Sequence, residues 1–365
     1  MTALDIKSYW NRAKIYTPAL AFIGGFLFDI ITLDSIDSWL NVSQQALYLC
    51  LITFFLLSEI VISDFHSTSK ALQKVWHFKE EIMHFFLGSL LSVYTLFYFK
   101  SASGATALLF ILLMLGLMVI NELPRFQKYG PRLRSALLSL CWLSFLSCIT
   151  PVLLGFVGLL SFFISILCSF ALIYSLYFFI LKKYPAHRAP LQREFLLPSL
   201  SVLVLFIFLY LFKLIPPIPL SIQKIGVYHQ IKKEGISYKL YYLPTWWKPW
   251  QTSSQDFVYR EGDKIHCFAT VYSPTKFKDQ VRMRWQLKDS SGDWQNTDVI
   301  PMTITGGREG GFRGYSVKSN YTEGEWRVVV ETTDGRELGR IRFSVEKDST
   351  QDLPPPEREW QIDTI

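Results

Sequence analysis

Two fold classes are legible in this sequence: a multi-span α-helical membrane bundle of about seven helices, then an all-β sandwich. Three observations carry that expectation. Residues 1–220 contain repeated apolar runs, each close to the ~20 residues that cross a bilayer. Basic residues recur at every second gap between those runs. From about Ser221 continuous apolarity gives way to strict alternation of apolar and polar residues.

Composition divides at the same place. Charged residues make up 18% of the chain, against roughly 25% in an average soluble protein. Residues 1–220 hold sixteen Lys and Arg against ten Asp and Glu, whereas residues 221–365 are nearly balanced, with twenty-one against twenty. A basic excess beside long apolar runs is membrane-flanking charge, which argues against a nucleic-acid partner and for the lipid bilayer. Of the five cysteines, only Cys267 lies in the polar part. A lone cysteine excludes an internal disulfide there.

The expected spans are Ile15–Leu33, Gln45–Ser63, Ile82–Phe99, Ser103–Asn121, Ser135–Leu154, Gly158–Leu181 and Phe195–Ile215. The fifth and sixth come from one charge-free stretch, Ser135 to Leu181. As a single helix it would reach about 70 Å at 1.5 Å per residue. It therefore crosses twice, with a turn near Pro151–Gly158. Basic clusters precede the first span (Lys7, Arg12, Lys14) and follow the second (Lys70, Lys74, Lys79), the fourth (Arg125, Lys128, Arg132, Arg134) and the sixth (Lys182, Lys183, Arg188, Arg193). Basic loops stay cytoplasmic. The expected localisation is thus the bacterial cytoplasmic (inner) membrane, with the amino terminus inside and the carboxyl domain periplasmic or extracellular. The basic start and the run Ala19–Ile31 read as an uncleaved signal anchor, with no small-residue cleavage site after them.

In the polar part, Val281, Met283, Trp285 and Leu287 alternate with Arg282, Arg284, Gln286 and Lys288. Trp326, Val328 and Val330 form a second such strand, and Ile341, Phe343 and Val345 a third beyond the Asp334–Gly335 turn. Period-two patterning around Asp-Gly signals a hairpin. Ile265–Val271 and Val299–Ile304 add strands, with Gly306–Gly314 as a loop. Six to eight strands without helical period indicate an immunoglobulin-like sandwich. The expected divisions are 1–220, 221–349, and a disordered proline-containing tail over 350–365.

The segment Val281–Trp285, then Gly324, Trp326, Val328 and Val330, then Asp334, Gly335, Leu338 and Phe343–Val345 resembles the bacterial family catalogued as domain of unknown function 2914. Met283 stands where that resemblance would place a His. The resemblance covers roughly the last third of the chain. It implies a fold and a layout in which the domain follows several spans, and it implies no activity.

Several residues are candidates for chemistry. His77, Glu81 and His84 share one helix face by their spacing and carry metal-binding ligand types. Their bland alternative is a set of interfacial residues in a polar loop. Asp29 and Glu59 are ionisable groups inside spans, where burial is costly, or else, lying toward opposite membrane faces, each reaches headgroup water. Tyr241, Tyr242, Trp246, Trp247 and Trp250 form a platform for stacking on a ligand, or else belong to the core or the membrane interface. In an immunoglobulin-like sandwich the third strand and the last two share a sheet. Arg282, Arg284, Lys288, Arg327, Arg340 and Arg342 then share a face, tempered by Glu331 and Glu346. Such a face suits anionic lipid headgroups or an acidic envelope polymer, or else it is a solvated face balanced by acids from loops. Nucleophile-elbow, zinc-protease, phosphate-loop and C-x-x-C motifs are absent, and no cofactor is implied. The functional expectation is a non-enzymatic envelope protein that binds, senses or scaffolds. The alternative is a membrane enzyme or carrier acting on lipids or small solutes.

Overall fold

The structure is a computed structural model that describes residues 36, 38–62, 70–122, 130–243, 248, 250–274, 277–305, 311–348 and 360–365. The expected first span, with Asp29, lies outside the described residues, as do Trp246 and Trp247. The chain forms two compact units, one of residues 1–99, 106–151 and 160–215, the other of residues 100–105, 152–159 and 216–365.

The first unit is helical: α1 (Trp39–Val61), α2 (Lys70–His77), α3 (Lys79–Lys100), α4 (Gly104–Glu122), α5 (Pro131–Leu154), α6 (Leu159–Lys183) and α7 (Leu197–Leu211), with a π-helical turn at Leu191–Leu196 leading into α7. Five of these segments are long and apolar enough to cross a membrane: α1, α3, α5, α6 and the run Pro185–Leu211. A shorter apolar helix occupies Ala107–Asn121. Apolar side chains face outward as well as inward, among them Leu160, Leu167, Phe178 and Phe179 on α6. A helix apolar all round suits hydrocarbon surroundings. The charge-free stretch divides where the sequence places the turn, with Gly155 and Gly158 both at positive φ between α5 and α6.

Many serines and threonines in these helices satisfy their hydroxyls on a carbonyl one turn back. Thr53 donates to the Leu49 carbonyl, Thr95 to Leu91, Ser139 to Ser135, Ser165 to Ser161, Ser169 to Ser165 and Ser199 to Phe195. Ser161, Ser165 and Ser169 also repeat every fourth residue and are buried, giving α6 a small-residue face from which Ser165 Oγ reaches the Leu146 carbonyl of α5 at 3.2 Å. Aromatic rings fill the wider gaps: Tyr98 meets Phe110 edge-on, and Phe162 stacks on Tyr210.

The second unit is a sandwich with an extra layer. One sheet has the order β4 (Asp256–Tyr259), β10 (Glu337–Lys347), β9 (Gly324–Thr332), β6 (Lys278–Lys288), β7 (Trp294–Thr305). The facing sheet is β1 (Ser221–Tyr228), β5 (Ile265–Tyr272), β8 (Phe312–Lys318). Neighbouring strands run antiparallel except β4, which lies parallel to β10. This division of strands is the immunoglobulin-like arrangement. Apolar residues of both sheets interdigitate, and Trp285 and Trp326 are among the largest fully buried side chains. The Trp285 indole N–H donates to Ser316 Oγ at 3.1 Å, and the Trp326 N–H donates to the Thr322 carbonyl at 2.9 Å. Met283, beside them, lies 3.1 Å from Ser316 Oγ. Cys267 is buried and unbridged.

Two sequence expectations need correction. Gly314 belongs to β8, not to a loop: it faces Ala269 in the ladder, and a Cβ there would sit 3.0 Å from Met302 Sδ. The tail expected to be disordered contains β11 (Gln361–Thr364), which pairs with β3 (Ser237–Tyr242). With β2 (Gln230–Glu234) these form a third small sheet that the alternation pattern did not signal. Its order, β11-β3-β2, lets Tyr238, Leu240 and Tyr242 pack with Tyr228 and Phe268 in a separate apolar cluster.

Residues 100–105 and 152–159 belong to this second unit and are tied into it. Val157 lies in the sandwich core, and its N–H donates to Asp279 Oδ2 at 2.8 Å. The Lys278 N–H donates to the Gly155 carbonyl at 2.8 Å, and Ser103 Oγ donates to Glu337 Oε1 at 2.7 Å. Burial holds the Asp279 carboxyl above its ordinary value despite its N–H donors.

Candidate functional site

Register determines what the outer face of the five-stranded sheet presents. On β6 the inward residues are Val281, Met283 and Trp285, so Arg282 and Arg284 point outward. Arg282 pairs in register with Glu331, Arg284 with Val329 and Gln286 with Arg327. On the neighbouring ladder Arg327 pairs with Arg342, and Val329 with Arg340. The six expected basic residues are therefore on one sheet and one face.

Their environments differ sharply. Arg284 forms an ion pair with Glu331. Arg340 donates through Nε to Glu337 Oε1 at 2.6 Å, and this hydrogen bond raises its affinity for the proton. Lys288 lies 3.5 Å from Glu325. Arg282 donates to the Thr333 carbonyl at 2.5 Å. Arg327 and Arg342 have no ion pair among the described residues. Both guanidinium groups lie over the Trp294 ring, at 4.4 and 5.7 Å from its centroid. Arg327 Nε donates to Gln286 Oε1 at 2.5 Å, and Gln286 Nε2 donates to Asn296 Oδ1 at 2.7 Å. Like charges directly opposite on adjacent strands repel. Burial first, then repulsion from Arg340 and Arg342, pulls the Arg327 guanidinium below its ordinary value. Trp294 offsets part of that repulsion by cation–π attraction. The cluster therefore offers two forked donor groups held over an aromatic ring, a set suited to phosphate or carboxylate oxygens.

The sequence missed Trp294. It lies at the start of β7 next to the Asp289–Asp293 turn, and only the β6–β7 register, with Lys288 opposite Trp294, carries it to this face.

The aromatic run is not one platform. Alternation along β3 sends Tyr241 and Tyr242 to opposite faces: Tyr242 is buried in the small cluster, while Tyr241 meets Trp360 edge-on. Trp250 is exposed. The expected metal trio does not converge either, since no group of three His, Cys, Asp or Glu residues able to hold a metal occurs among the described residues. The physical reason is that His84 is engaged elsewhere: its Nδ1 lies 3.2 Å from Asn121 Oδ1, and Asn121 Nδ2 donates to the His84 carbonyl at 3.2 Å. This exchange clasps α3 to α4. His77 and Glu81 are exposed.

Glu59 has a partner that sequence reasoning assigned elsewhere. Arg134, counted above as a flanking charge, is only 4% exposed and donates through Nη2 to Glu59 Oε1 at 2.8 Å. Glu80 lies 3.8 Å from its Nη1. No spacing rule links residues 59 and 134, so this pair was visible only in the packing.

Comparison with known proteins adds the following. No curated protein matches the chain. An immunoglobulin-like protein from Pseudomonas aeruginosa is similar over 34% of this chain and 97% of its own, at 14% identity and a TM-score of 0.20. An alkylpurine DNA glycosylase from Pseudomonas fluorescens, solved on DNA containing an abasic site analogue, covers 82% of this chain and 76% of its own, at 11% identity and a TM-score of 0.20. Likenesses this distant carry no argument about activity. The family model described as "Protein of unknown function (DUF2914)" matches residues 278–345, from the start of β6 into β10, so the chain carries a carboxyl-terminal domain of that family.

Proposed function

We propose that this is a non-enzymatic, multi-pass protein of the bacterial cytoplasmic membrane, with its amino terminus inside and its sandwich outside. There the Trp294–Arg327–Arg342 cluster binds an anionic partner, either lipid headgroups or an acidic envelope polymer. The observation that carries the reading is the juxtaposition of Arg327 and Arg342 over one tryptophan without an ion-pair partner among the described residues. Two opposed arginines cost stability unless a negative charge joins them. The orientation is supported by the basic residues at alternate gaps. It is supported too by the membership of residues 100–105 and 152–159, both outer loops by that rule, in the unit that holds the sandwich.

The test uses the full chain in phosphatidylcholine nanodiscs. Flotation with phosphatidylglycerol vesicles and binding of soluble polygalacturonate distinguish a lipid from a polymer partner. Each basic residue near an anionic surface contributes about 1 kcal/mol. Reversing both, Arg327→Glu with Arg342→Glu, is therefore expected to weaken whichever binding occurs by at least tenfold. Unchanged binding to both ligands by this variant sinks the proposal. Orientation is read separately by reporter fusions after Phe99, Arg134, Lys183 and Ile365. A reporter on the cytoplasmic side at Ile365 overturns it.

A further inference from the structure

The sandwich sheets leave one pairing unexplained. On β3, one edge is taken by β2 and the other by β11, which comes from a distant part of the chain. Gln361 lies opposite Tyr242, Ile362 opposite Tyr241, Asp363 opposite Leu240 and Thr364 opposite Lys239. The ladder continues in the reciprocal bonds Tyr238 N–H to Ile365 O, 2.9 Å, and Ile365 N–H to Tyr238 O, 3.1 Å. The edge is therefore competent to receive an extended chain, as any unpaired strand edge is.

Apolar contact is confined to the two ends of the segment, where Trp360 meets Tyr241 and His229 edge-on and Ile365 packs against the Tyr228–Phe268 cluster. Ile362 is 51% exposed, and Gln361 and Thr364 are exposed too. Register is set by polar contacts: the Tyr242 hydroxyl donates to Gln361 Oε1 at 2.7 Å, and Lys224 of β1 forms an ion pair with Asp363. Arg313 of β8 donates to the carbonyls of Ile236, 2.9 Å, and Ile365, 3.3 Å. Main-chain bonds for affinity with a few side-chain contacts for register are the features of strand addition.

We infer that the β3 edge is a strand-acceptor site for an extended peptide of another protein, one carrying an acidic residue that meets Lys224. Segment 361–364 is the chain's own occupant and exchanges with that peptide. This inference is independent of the anionic site on the five-stranded sheet, because none of its residues is shared.

The experiment measures binding of a fluorescent peptide, Trp-Gln-Ile-Asp-Thr-Ile, to the full chain in nanodiscs and to a chain shortened before Trp360. A tethered strand competes at an effective concentration near millimolar, so the shortened chain is expected to bind at least about tenfold more tightly. A peptide with Lys in place of Asp is expected to bind about tenfold more weakly, and Lys224→Glu in the shortened chain is expected to reverse that preference. A shortened chain that melts as the full chain does and takes up no peptide overturns the inference. So does one that pairs with a second copy through this edge and excludes the peptide. Should shortening unfold the sandwich, the full chain carrying Tyr241→Cys and Ile362→Cys decides. The reciprocal bonds at Tyr238–Ile365 make 241–362 a non-hydrogen-bonded pair, the close kind that suits a disulfide. The oxidised form is expected to exclude the peptide and the reduced form to bind it. Equal binding in both states overturns the inference.

Discussion

The helical unit and the sandwich both bury or half-bury arginine, and they treat it in opposite ways. Arg134 is withdrawn from solvent and closed against Glu59, with Glu80 nearby. Arg327 and Arg342 are set side by side on a sheet over Trp294, and Arg327 is given the Gln286 amide in place of an acid. The first arrangement neutralises a charge that low-dielectric surroundings would otherwise penalise. The second leaves charge available. A buried ion pair is therefore the weaker indicator of function in this chain, and an unmatched pair of like charges the stronger one.

The largest test of that contrast is Arg134→Met. It leaves Glu59 buried without its partner, and the expected loss is about 3 kcal/mol, read as thermal unfolding in detergent. Adding Glu59→Met should recover most of it, because a matched apolar pair replaces a matched ionic one. A single substitution without cost would mean that the charges are hydrated and the contrast false.

Next comes a buried cation within the sandwich itself. Lys318 is 4% exposed and pairs with Asp298, whose carboxyl is held below its ordinary value by that hydrogen bond. Asp298→Asn is expected to cost about 2 kcal/mol, measured by melting of the full chain. Relief of repulsion on the outer face is smaller and opposite in sign. Arg342→Gln should stabilise by about 0.5 kcal/mol while weakening anion binding. Loss of stability would show that the face is built for packing.

The smallest effect is in the β6–β7 turn. Asp289 accepts hydrogen bonds from the Ser291 hydroxyl, Gln295 and the Asp293 N–H, which lower its carboxyl from 3.8 to about 2. A depressed carboxylate contributes stability that is present above 3.8 and lost as pH falls through about 2. Asp289→Asn should flatten that part of the acid melting profile.

Much of this was legible in the sequence because it rests on local periodicity. Strands β6, β9 and β10 follow from the alternation around Trp285, Trp326 and Phe343. The common face of Arg282, Arg327 and Arg342 followed once those strands were assigned to one sheet. What escaped depends on register and long-range packing. Trp294 reaches the basic face only through a hairpin whose pairing shifts between Trp285 and Gln286. β11 is four residues of mixed polarity, and only its partner β3 makes it a strand. The clasp between His84 and Asn121 and the bond between Glu59 and Arg134 join residues that no spacing rule relates.

Val157 has a practical consequence for anyone wishing to excise the sandwich. The chain visits that unit three times, at 100–105, at 152–159 and finally from 216 onward. A fragment cloned from residue 216 would have a hole where Val157 sits and an Asp279 carboxylate without the Val157 N–H, one of its two amide donors. In engineering terms, residue 216 is a fold transition and not a cleavage point. A soluble version would need the 152–159 segment grafted back as a tethered insert.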